Sequence, residues 1–136
     1  MSECMIPVAT GELADKITIL EIKSERITDA AKLDNVRREL DALRKVWSAL
    51  GFAGDAAVAQ LCSQLKTVNE ALWEIEDDIR VLEAKRQFDS KFIELARAVY
   101  HTNDKRAALK REINTATGSA LVEEKDYVDY AGGGES

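Results

Sequence analysis

An unbroken heptad pattern of apolar residues in the middle of the chain constrains the fold more than any other feature. Its spacing alternates between three and four residues, which is typical of a long helix that packs against another helix. The members are Val58, Leu61, Leu65, Val68, Leu72, Ile75, Ile79 and Leu82. Asp55 precedes the pattern and is a residue type that commonly caps helices. We therefore predict a helix over about residues 55–86.

A second heptad pattern follows and predicts a partner for this helix. Its members are Phe92, Leu95, Val99, Thr102, Arg106, Leu109 and Ile113. Phe88 and Ile93 flank Asp89 in the arrangement of a hydrophobic staple around an aspartate N-cap. We predict a second helix over about residues 90–116, antiparallel to the first, with a tight turn near residue 87.

Two shorter helices are predicted before this hairpin. The first has Thr10 as its N-cap and carries two apolar stripes, so we expect it to be packed on two sides. The second is capped by Asp29 or Asp34 and stops at Gly51. The predicted fold is all-α, a single domain over residues 1–136 that forms an antiparallel helical bundle built on the long hairpin.

The two ends of the chain are predicted to lie outside this bundle. Residues 1–9 form an irregular lead-in, and residues 131–136 form a flexible tail. Ser119 is predicted to cap one further helical turn that reaches Lys125.

The difference in helix length predicts an assembly. A helix over residues 55–86 would be about 48 Å long, whereas the first helix would be about 25 Å long. Two short helices cannot cover the whole hairpin, so we expect a homodimer to bury the remainder.

Composition excludes several classes of protein. The chain carries 19 Lys and Arg residues against 25 Asp and Glu residues, a net charge of −6, which argues against a nucleic-acid-binding protein. No apolar run approaches the roughly 18 residues of a membrane span. Cys4 and Cys62 do not have the spacing of a zinc site or a disulfide framework. We therefore expect a cytoplasmic protein that carries no metal or cofactor.

Opposite charges on the two long helices predict how these helices align. A turn near residue 87 places Glu76 opposite Arg97, and Trp73 opposite Tyr100 and His101. The facing segments are acidic on one helix and basic on the other. We interpret these charges chiefly as ion pairs between the two helices.

Thr102 and Arg106 occupy heptad positions where apolar residues are expected. A guanidinium inside a bundle requires a counter-charge or a ligand. Arg106 can pair with Glu70 or Glu74, or extend its charged end to the solvent, and serve structure alone. Alternatively, it belongs to a site for a carboxylate or phosphate, which arginine binds in a bidentate manner. The residues that we predict for this site are Trp73, Glu76, Arg97, Tyr100, Asn103 and Arg106.

Few residues suggest catalysis, and two enzyme classes remain as alternatives. His101 is the only histidine and lacks the preceding glutamate of a di-iron bundle. A helical chorismate mutase would bind a dicarboxylate through basic residues, here Lys16, Lys23, Arg26 and Arg97. A magnesium-dependent nucleotide pyrophosphohydrolase would use the acidic run from Glu74 to Asp78, but a second Glu-x-x-Glu motif is missing.

Short motifs are distributed over nearly the whole chain. They are Gly11-Glu12-Leu13, Asp15-Lys16-Ile17, Asn69-x-x-Leu72-Trp73-x-Ile75-Glu76-Asp77, Asn103-Asp104-Lys105-Arg106-Ala107 and Glu123-Glu124-Lys125. In this order they resemble a bacterial all-helical family that is known as a domain of unknown function. The resemblance extends from Thr10 to Tyr130 and implies neither an activity nor catalytic residues.

These observations together favour a non-catalytic binding or accessory module. We expect it to hold an anionic metabolite or a protein partner through the region around Arg106. A small helical enzyme of either class named above is the alternative.

Overall fold

The protein is composed of four long helices. In this computed structural model, which describes residues 2–130, they are α1 (Thr10–Arg26), α2 (Ala30–Ala49), α3 (Ala56–Ala84) and α4 (Ser90–Thr117). The described residues contain no β-strand, and no helix among them is long and apolar enough to cross a membrane. The predicted all-α bundle built on a long hairpin is confirmed. The flexible tail predicted for residues 131–136 lies outside the described residues.

Aspartate side chains begin three of the four helices. Asp29, Asp55 and Asp89 each accept a hydrogen bond from a backbone N–H in the first turn of α2, α3 and α4. These N–H groups have no partner within their own helix, so the carboxylates satisfy donors that would otherwise be unpaired. The predicted caps Asp55 and Asp89 are confirmed, and Asp29 rather than Asp34 caps α2.

Two predictions at the ends of the bundle are wrong. The N-cap of α1 is Ala9, whose side chain forms no capping bond, and Thr10 is the first helical residue. Ser119 does not begin a further helical turn. The left-handed backbone of Gly118 (φ 64°) ends α4, and residues 119–130 contain no helix. The Ser119 hydroxyl instead accepts a hydrogen bond from the Thr10 N–H at 3.1 Å, so it caps α1 from a distant part of the chain.

A left-handed arginine closes the hairpin between α3 and α4. Arg86 follows the end of α3 with a φ of 54°. Its N–H donates to the Glu83 carbonyl at 3.0 Å, and the Gln87 N–H donates to the Leu82 carbonyl at 2.9 Å. This is the Schellman pattern of a helix end, in which the left-handed residue is usually glycine because a Cβ atom disfavours that conformation.

We expect Arg86→Gly to raise the free energy of unfolding by about 1 kcal/mol, because glycine adopts this conformation without the steric cost. Urea denaturation measures the change. Gly118→Ala is the matched control at the end of α4, where φ is 64°, and it should lower the stability by a similar amount. An Arg86→Gly protein that is less stable than the wild type would contradict the explanation.

α1 lies at the centre of the fold and contacts each of the other helices. On one side, Ala14 packs with Leu65 of α3 and Ile113 of α4. On the other side, Leu20 packs against buried side chains of α2. Among the other three helices, the backbone of α2 approaches only that of α1, and the Trp47 ring reaches the cluster around Ala14. The prediction that the first helix is packed on two sides is confirmed.

Ion pairs between helices also converge on α1. Within residues 2–130, each ion pair that joins two helices has one partner on α1. Arg106 and Lys110 of α4 pair with Asp15 and Glu12, respectively. The remaining pairs are Arg26–Glu74, Lys66–Glu25 and Arg44–Glu21. The predicted ion pairs between α3 and α4 are therefore wrong, because no ion pair joins these two helices within residues 2–130.

Among the helices of residues 2–130, none packs as a third helix against the half of the hairpin that is nearer its turn. α1 has 17 residues and α3 has 29, and the last residue of α1, Arg26, pairs with Glu74 in the second half of α3. Beyond this point the heptad residue Ile79 is only half-buried. Phe88 and Ile93 are 56% and 58% exposed. The length mismatch predicted from the sequence is thus present.

Candidate functional site

A buried carboxylate on α1 holds the guanidinium of the heptad arginine. Asp15 is 1% exposed. Arg106 donates from Nε to Asp15 Oδ1 at 2.9 Å and from Nη2 to Oδ2, so the pair is bidentate. Asn69 Nδ2 donates to Asp15 Oδ1 and to Thr18 Oγ1, both at 2.9 Å. Three helices therefore meet at one hydrogen-bonded cluster.

The cluster keeps both members of the central pair charged. Burial acts to raise the pKa of Asp15, but the hydrogen bonds from Arg106 and Asn69 and the charges of Arg106 and Lys110 outweigh it. The pKa of Asp15 is consequently lowered below its usual value. The hydrogen bond to Asp15 raises the pKa of Arg106 in spite of burial.

We expect acid to remove the stability that Asp15 provides. Because its pKa is lowered on folding, its contribution is fully present above the unfolded-state pKa of about 4. The contribution is lost as the pH falls through the lower pKa of the folded state. Urea titrations should therefore show a steeper loss of stability below about pH 4 in the wild type than in Asp15→Asn. Parallel pH profiles of the two proteins would contradict this.

A second charged contact ties the C-terminal segment to α1 and α4. Lys110 is 7% exposed and donates to Glu12 at 2.7 Å and to Glu123 at 3.1 Å. Burial acts to lower the pKa of Lys110, but the hydrogen bonds to the two carboxylates raise it above its usual value. One turn further along α4, Asn114 Oδ1 accepts a hydrogen bond from the Gly11 N–H at 2.7 Å. These bonds fix the start of α1 beside Arg106.

Arg106 lines a cavity of about 540 Å³ between α1, α3 and α4, which we call the α1 cavity. Its size is within the range of small-molecule sites. Apolar side chains cover one part of its wall: Ile19, Ile22, Leu72 and Trp73. Polar side chains that include Glu76, Asn103 and Arg106 cover another part. The α1 cavity thus combines an apolar surface with a fixed guanidinium.

A second cavity of about 660 Å³ is also lined by Asn103 and Arg106. It lies between α4 and the C-terminal segment, and we call it the tyrosine cavity because Tyr100, Tyr127 and Tyr130 line it. The Tyr130 hydroxyl donates to the Asp104 carboxylate, which raises the pKa of Tyr130 to about 12. Asn103 and Arg106 are therefore shared by two cavities.

A model of a protein family of unknown function matches residues 4–132. The chain belongs to this family, DUF6165. No curated protein and no solved structure matches the chain. The family of unknown function that the sequence resemblance implied is confirmed. In this DUF6165 chain, three of the motifs that carried the resemblance meet at the buried cluster, through Asp15, Asn69 and Arg106.

Four of the six predicted site residues lie around one cavity. The four predicted residues that line the α1 cavity are Trp73, Glu76, Asn103 and Arg106. Tyr100 lines the tyrosine cavity instead. Arg97 lies apart from both, in a shallow groove on the outer face of α4, where its Nε donates to the Tyr100 hydroxyl at 3.3 Å.

The predicted pairing of Glu76 with Arg97 is wrong. Glu76 accepts a hydrogen bond from Arg80, one turn away on the same helix, at 3.1 Å. The predicted partners of Arg106 in a purely structural role are also wrong, because Arg106 pairs with Asp15 of α1 rather than with a glutamate of α3. The error for Arg106 arises because α1 lies against the hairpin and supplies the partner of this inward-facing charge.

Asp15 is the central carboxylate of the cluster, and sequence reasoning did not predict it, Asn69 or Thr18 as site residues. A guanidinium in an apolar heptad position requires a carboxylate nearby, and Asp15 lies on a helix where small residues recur at Gly11, Ala14 and Thr18. Such a stripe lets another helix approach closely. The arginine at an apolar heptad position and the small residues of α1 together could have identified Asp15 as the partner of Arg106.

The structure also locates His101, Cys62 and the side chains that could bind a metal ion. No group of three or more His, Cys, Asp and Glu side chains within residues 2–130 could hold a metal ion. His101 is exposed, and its ring centre lies 4.9 Å from that of Tyr100. Burial raises the pKa of the Cys62 thiol, which disfavours the reactive thiolate.

Proposed function

We propose that this member of DUF6165 is a non-catalytic binding module that holds a small anionic molecule against Arg106 and Asn103. The observation that carries the proposal is the bidentate hydrogen bonding by which Asp15 holds the Arg106 side chain in place. Asp15 uses two of the five N–H groups of the guanidinium, through Nε and Nη2. The Arg106 side chain is 29% exposed and lines both cavities. Its other N–H groups are therefore available to a ligand.

A guanidinium that is fixed from one side is well suited to bind a carboxylate or phosphate. Ordering a flexible side chain normally opposes binding, and here the bond to Asp15 has already ordered Arg106. The planar fork of arginine matches the oxygens of a carboxylate or phosphate. Because Asp15 offsets the positive charge of Arg106, the site suits a singly charged anion better than a dianion.

The walls of the α1 cavity indicate the rest of the ligand. The side-chain amide of Asn103 forms no hydrogen bond to another described residue, so it can bind a polar group of the ligand. Ile19, Ile22 and Leu72 offer an apolar surface on the other part of the wall. A molecule with one acidic group and an apolar body satisfies both parts, and its apolar body can lie in the α1 cavity or in the tyrosine cavity, which also contains Arg106 and Asn103.

The two enzyme alternatives receive less support from this geometry. A pyrophosphohydrolase needs four carboxylates that converge from two helices, and no three metal-binding side chains come together in the described part of the chain. A mutase-like site needs Lys16 or Lys23 beside Arg97. Lys16 instead pairs with Glu12, and Arg97 lies on the outer face of α4.

A thermal-shift screen at low salt tests the proposed function. The compounds are monocarboxylates, dicarboxylates, phosphorylated sugars, nucleotides and inorganic phosphate. A ligand at 100 times its dissociation constant stabilises the folded state by about 2.7 kcal/mol, which raises the melting temperature by several degrees. We expect such a shift with at least one class of anion. A screen without any shift would contradict the proposal.

Two variants test where the ligand binds while Asp15 stays in place. Asn103→Ala should weaken binding of the compound that gives the shift, and Asn35→Ala, at an exposed position within α2, is the matched control and should not. Arg106→Lys keeps a cation beside Asp15 but loses the planar fork, so it should also weaken binding. Equal affinity in all three variants would place the ligand elsewhere.

The same proposal includes a homodimer in which a second copy covers the outer half of the hairpin. The exposed apolar residues Phe88 and Ile93 and the missing third helix support it. Sedimentation should give twice the 15.1 kDa mass of one chain. Ile93→Glu should lower the dimer fraction, whereas Val46→Glu, at a similarly exposed position on α2, should not. A monomer at all concentrations would exclude the dimer.

We also place the module in the cytoplasm, with the bacterial origin that the sequence resemblance implies. The free Cys4 and Cys62 thiols fit a reducing compartment. Fractionation of cells that express the protein tests this placement.

A further inference from the structure

The C-terminal segment, residues 119–130, forms the outer wall of the tyrosine cavity. At one end, the Glu123 and Glu124 carboxylates accept hydrogen bonds at 3.1 and 3.2 Å from basic side chains of α4. At the other end, the Tyr130 hydroxyl donates to a carboxylate of α4. Lys125, Tyr127 and Val128 lie between these two anchors and line the cavity. The segment is therefore attached on both sides of a cavity that it only partly covers.

We propose that the tyrosine cavity binds the ring of an aryl monoanion and that this segment closes over the ring. The acidic group of the ligand binds Arg106 and Asn103, while Tyr127 and Val128 turn inward against the ring. This inference rests on the proposed function, because it assigns the apolar part of the same anionic ligand.

The aromatic side chains around the cavity favour a ring. The ring centre of Tyr130 lies 4.9 Å from that of Tyr100 and 4.8 Å from that of His101. Both pairs are edge-to-face, an arrangement that a further ring can extend. Tyr127 and Val128 line the cavity but are 78% and 91% exposed. Closure over a ring would remove their apolar surface from water.

The charges around the cavity favour one negative charge on the ligand. Arg106 and Lys125 contribute positive charge, and the Lys125 ammonium lies 5.9 Å from the Tyr127 ring centre. Asp104 also lines the cavity, and its carboxylate accepts the hydrogen bond from Tyr130. Since Asp15 offsets the charge of Arg106, the balance suits a monoanion better than a dianion.

Calorimetric titration of the full-length protein with benzoate tests the ligand class. We expect benzoate to bind at least about tenfold more tightly than cyclohexanecarboxylate, which has the same charge but no aromatic ring. Benzyl alcohol, which has the ring but no charge, should bind more weakly than benzoate. Equal affinities for benzoate and cyclohexanecarboxylate would overturn the assignment of an aromatic ring.

Variants of the exposed segment test its part in binding, because their side chains contribute little to the core. Tyr127→Ala should weaken benzoate binding about tenfold, and Tyr127→Phe should restore most of it. Val128→Ala should weaken binding about threefold, since it removes apolar contact area. Val122→Ala is the matched control outside the cavity and should leave the affinity unchanged. Equal affinities for the Val128 and Val122 variants would contradict closure over the ring.

Hydrogen exchange reports closure directly. Saturating benzoate should slow amide exchange in residues 125–130 and leave exchange in α2 unchanged. Unchanged exchange in residues 125–130 would overturn the closure. If benzoate fails to bind but another anion binds in an Asn103-dependent manner, this inference is wrong and the proposed function stands. If no anion binds, both are wrong.

Discussion

Replacing Asp15 with asparagine is expected to lower the free energy of unfolding by about 3 kcal/mol, as measured by urea denaturation at neutral pH. The substitution leaves the Arg106 guanidinium without its counter-charge. Breaking a buried ion pair by removing one partner costs about 3–5 kcal/mol. We expect the lower end of this range because the Arg106 side chain is 29% exposed and part of its charge remains hydrated.

The same substitution at a surface pair provides the control. Asp34 pairs with Arg38 one turn away on α2, and both side chains are well exposed, at 58% and 72%. Asp34→Asn should change the stability by less than about 0.5 kcal/mol. If Asp15→Asn and Asp34→Asn have equal effects, the buried cluster does not stabilise the fold in the way that the structure implies.

Replacing Gly11 with alanine is expected to destabilise the protein by about 2 kcal/mol or more, because α1 and α4 are in backbone contact at this point. A Cβ atom on Gly11 would lie 2.3 Å from the Lys110 carbonyl oxygen and 2.9 Å from Asn114 Oδ1. The carbonyl belongs to the backbone and cannot rotate away, so α1 would have to shift. That shift would also strain the 2.7 Å hydrogen bond from the Gly11 N–H to Asn114.

Gly54→Ala separates this steric effect from the general effect of replacing glycine. Gly54 lies in the connection between α2 and α3, where an added Cβ would meet no atom within 4 Å. Its replacement should be neutral or slightly stabilising, because alanine restricts the unfolded chain. Thermal unfolding of the two variants measures the difference. Equal melting temperatures would show that the α1–α4 contact tolerates a methyl group.

The helices were predictable because their heptad patterns and caps are local features of the chain. The apolar spacing from Val58 to Leu82 and the Asp55 and Asp89 caps require no knowledge of distant residues. The Ser119 hydroxyl could not be predicted in the same way. It caps α1 across more than 100 residues, a contact that only the assembled fold creates.

The candidate site was predictable in part for a related reason. Arg106 was conspicuous because a charge interrupts an apolar pattern. Its partner Asp15 could not be identified in this way, because Asp15 lies on α1. The charge pattern of α3 and α4 does not indicate where α1 packs against the hairpin. The predicted position of Arg97 was wrong for a similar reason. The charges alone favoured Glu76 as its partner, whereas Arg97 lies on the outer face of α4.

The most direct test of the proposed binding function is an NMR titration that observes the arginine side chains. Protein labelled with 15N-arginine would be titrated with benzoate and, separately, with inorganic phosphate at millimolar concentrations. We predict that at least one anion shifts the Arg106 Nε–H signal in a saturable manner, while the signals of Arg37 and Arg38, at exposed positions on α2, stay in place. An Arg106 signal that remains unchanged with both anions, or moves only in parallel with Arg37 and Arg38, would contradict the account.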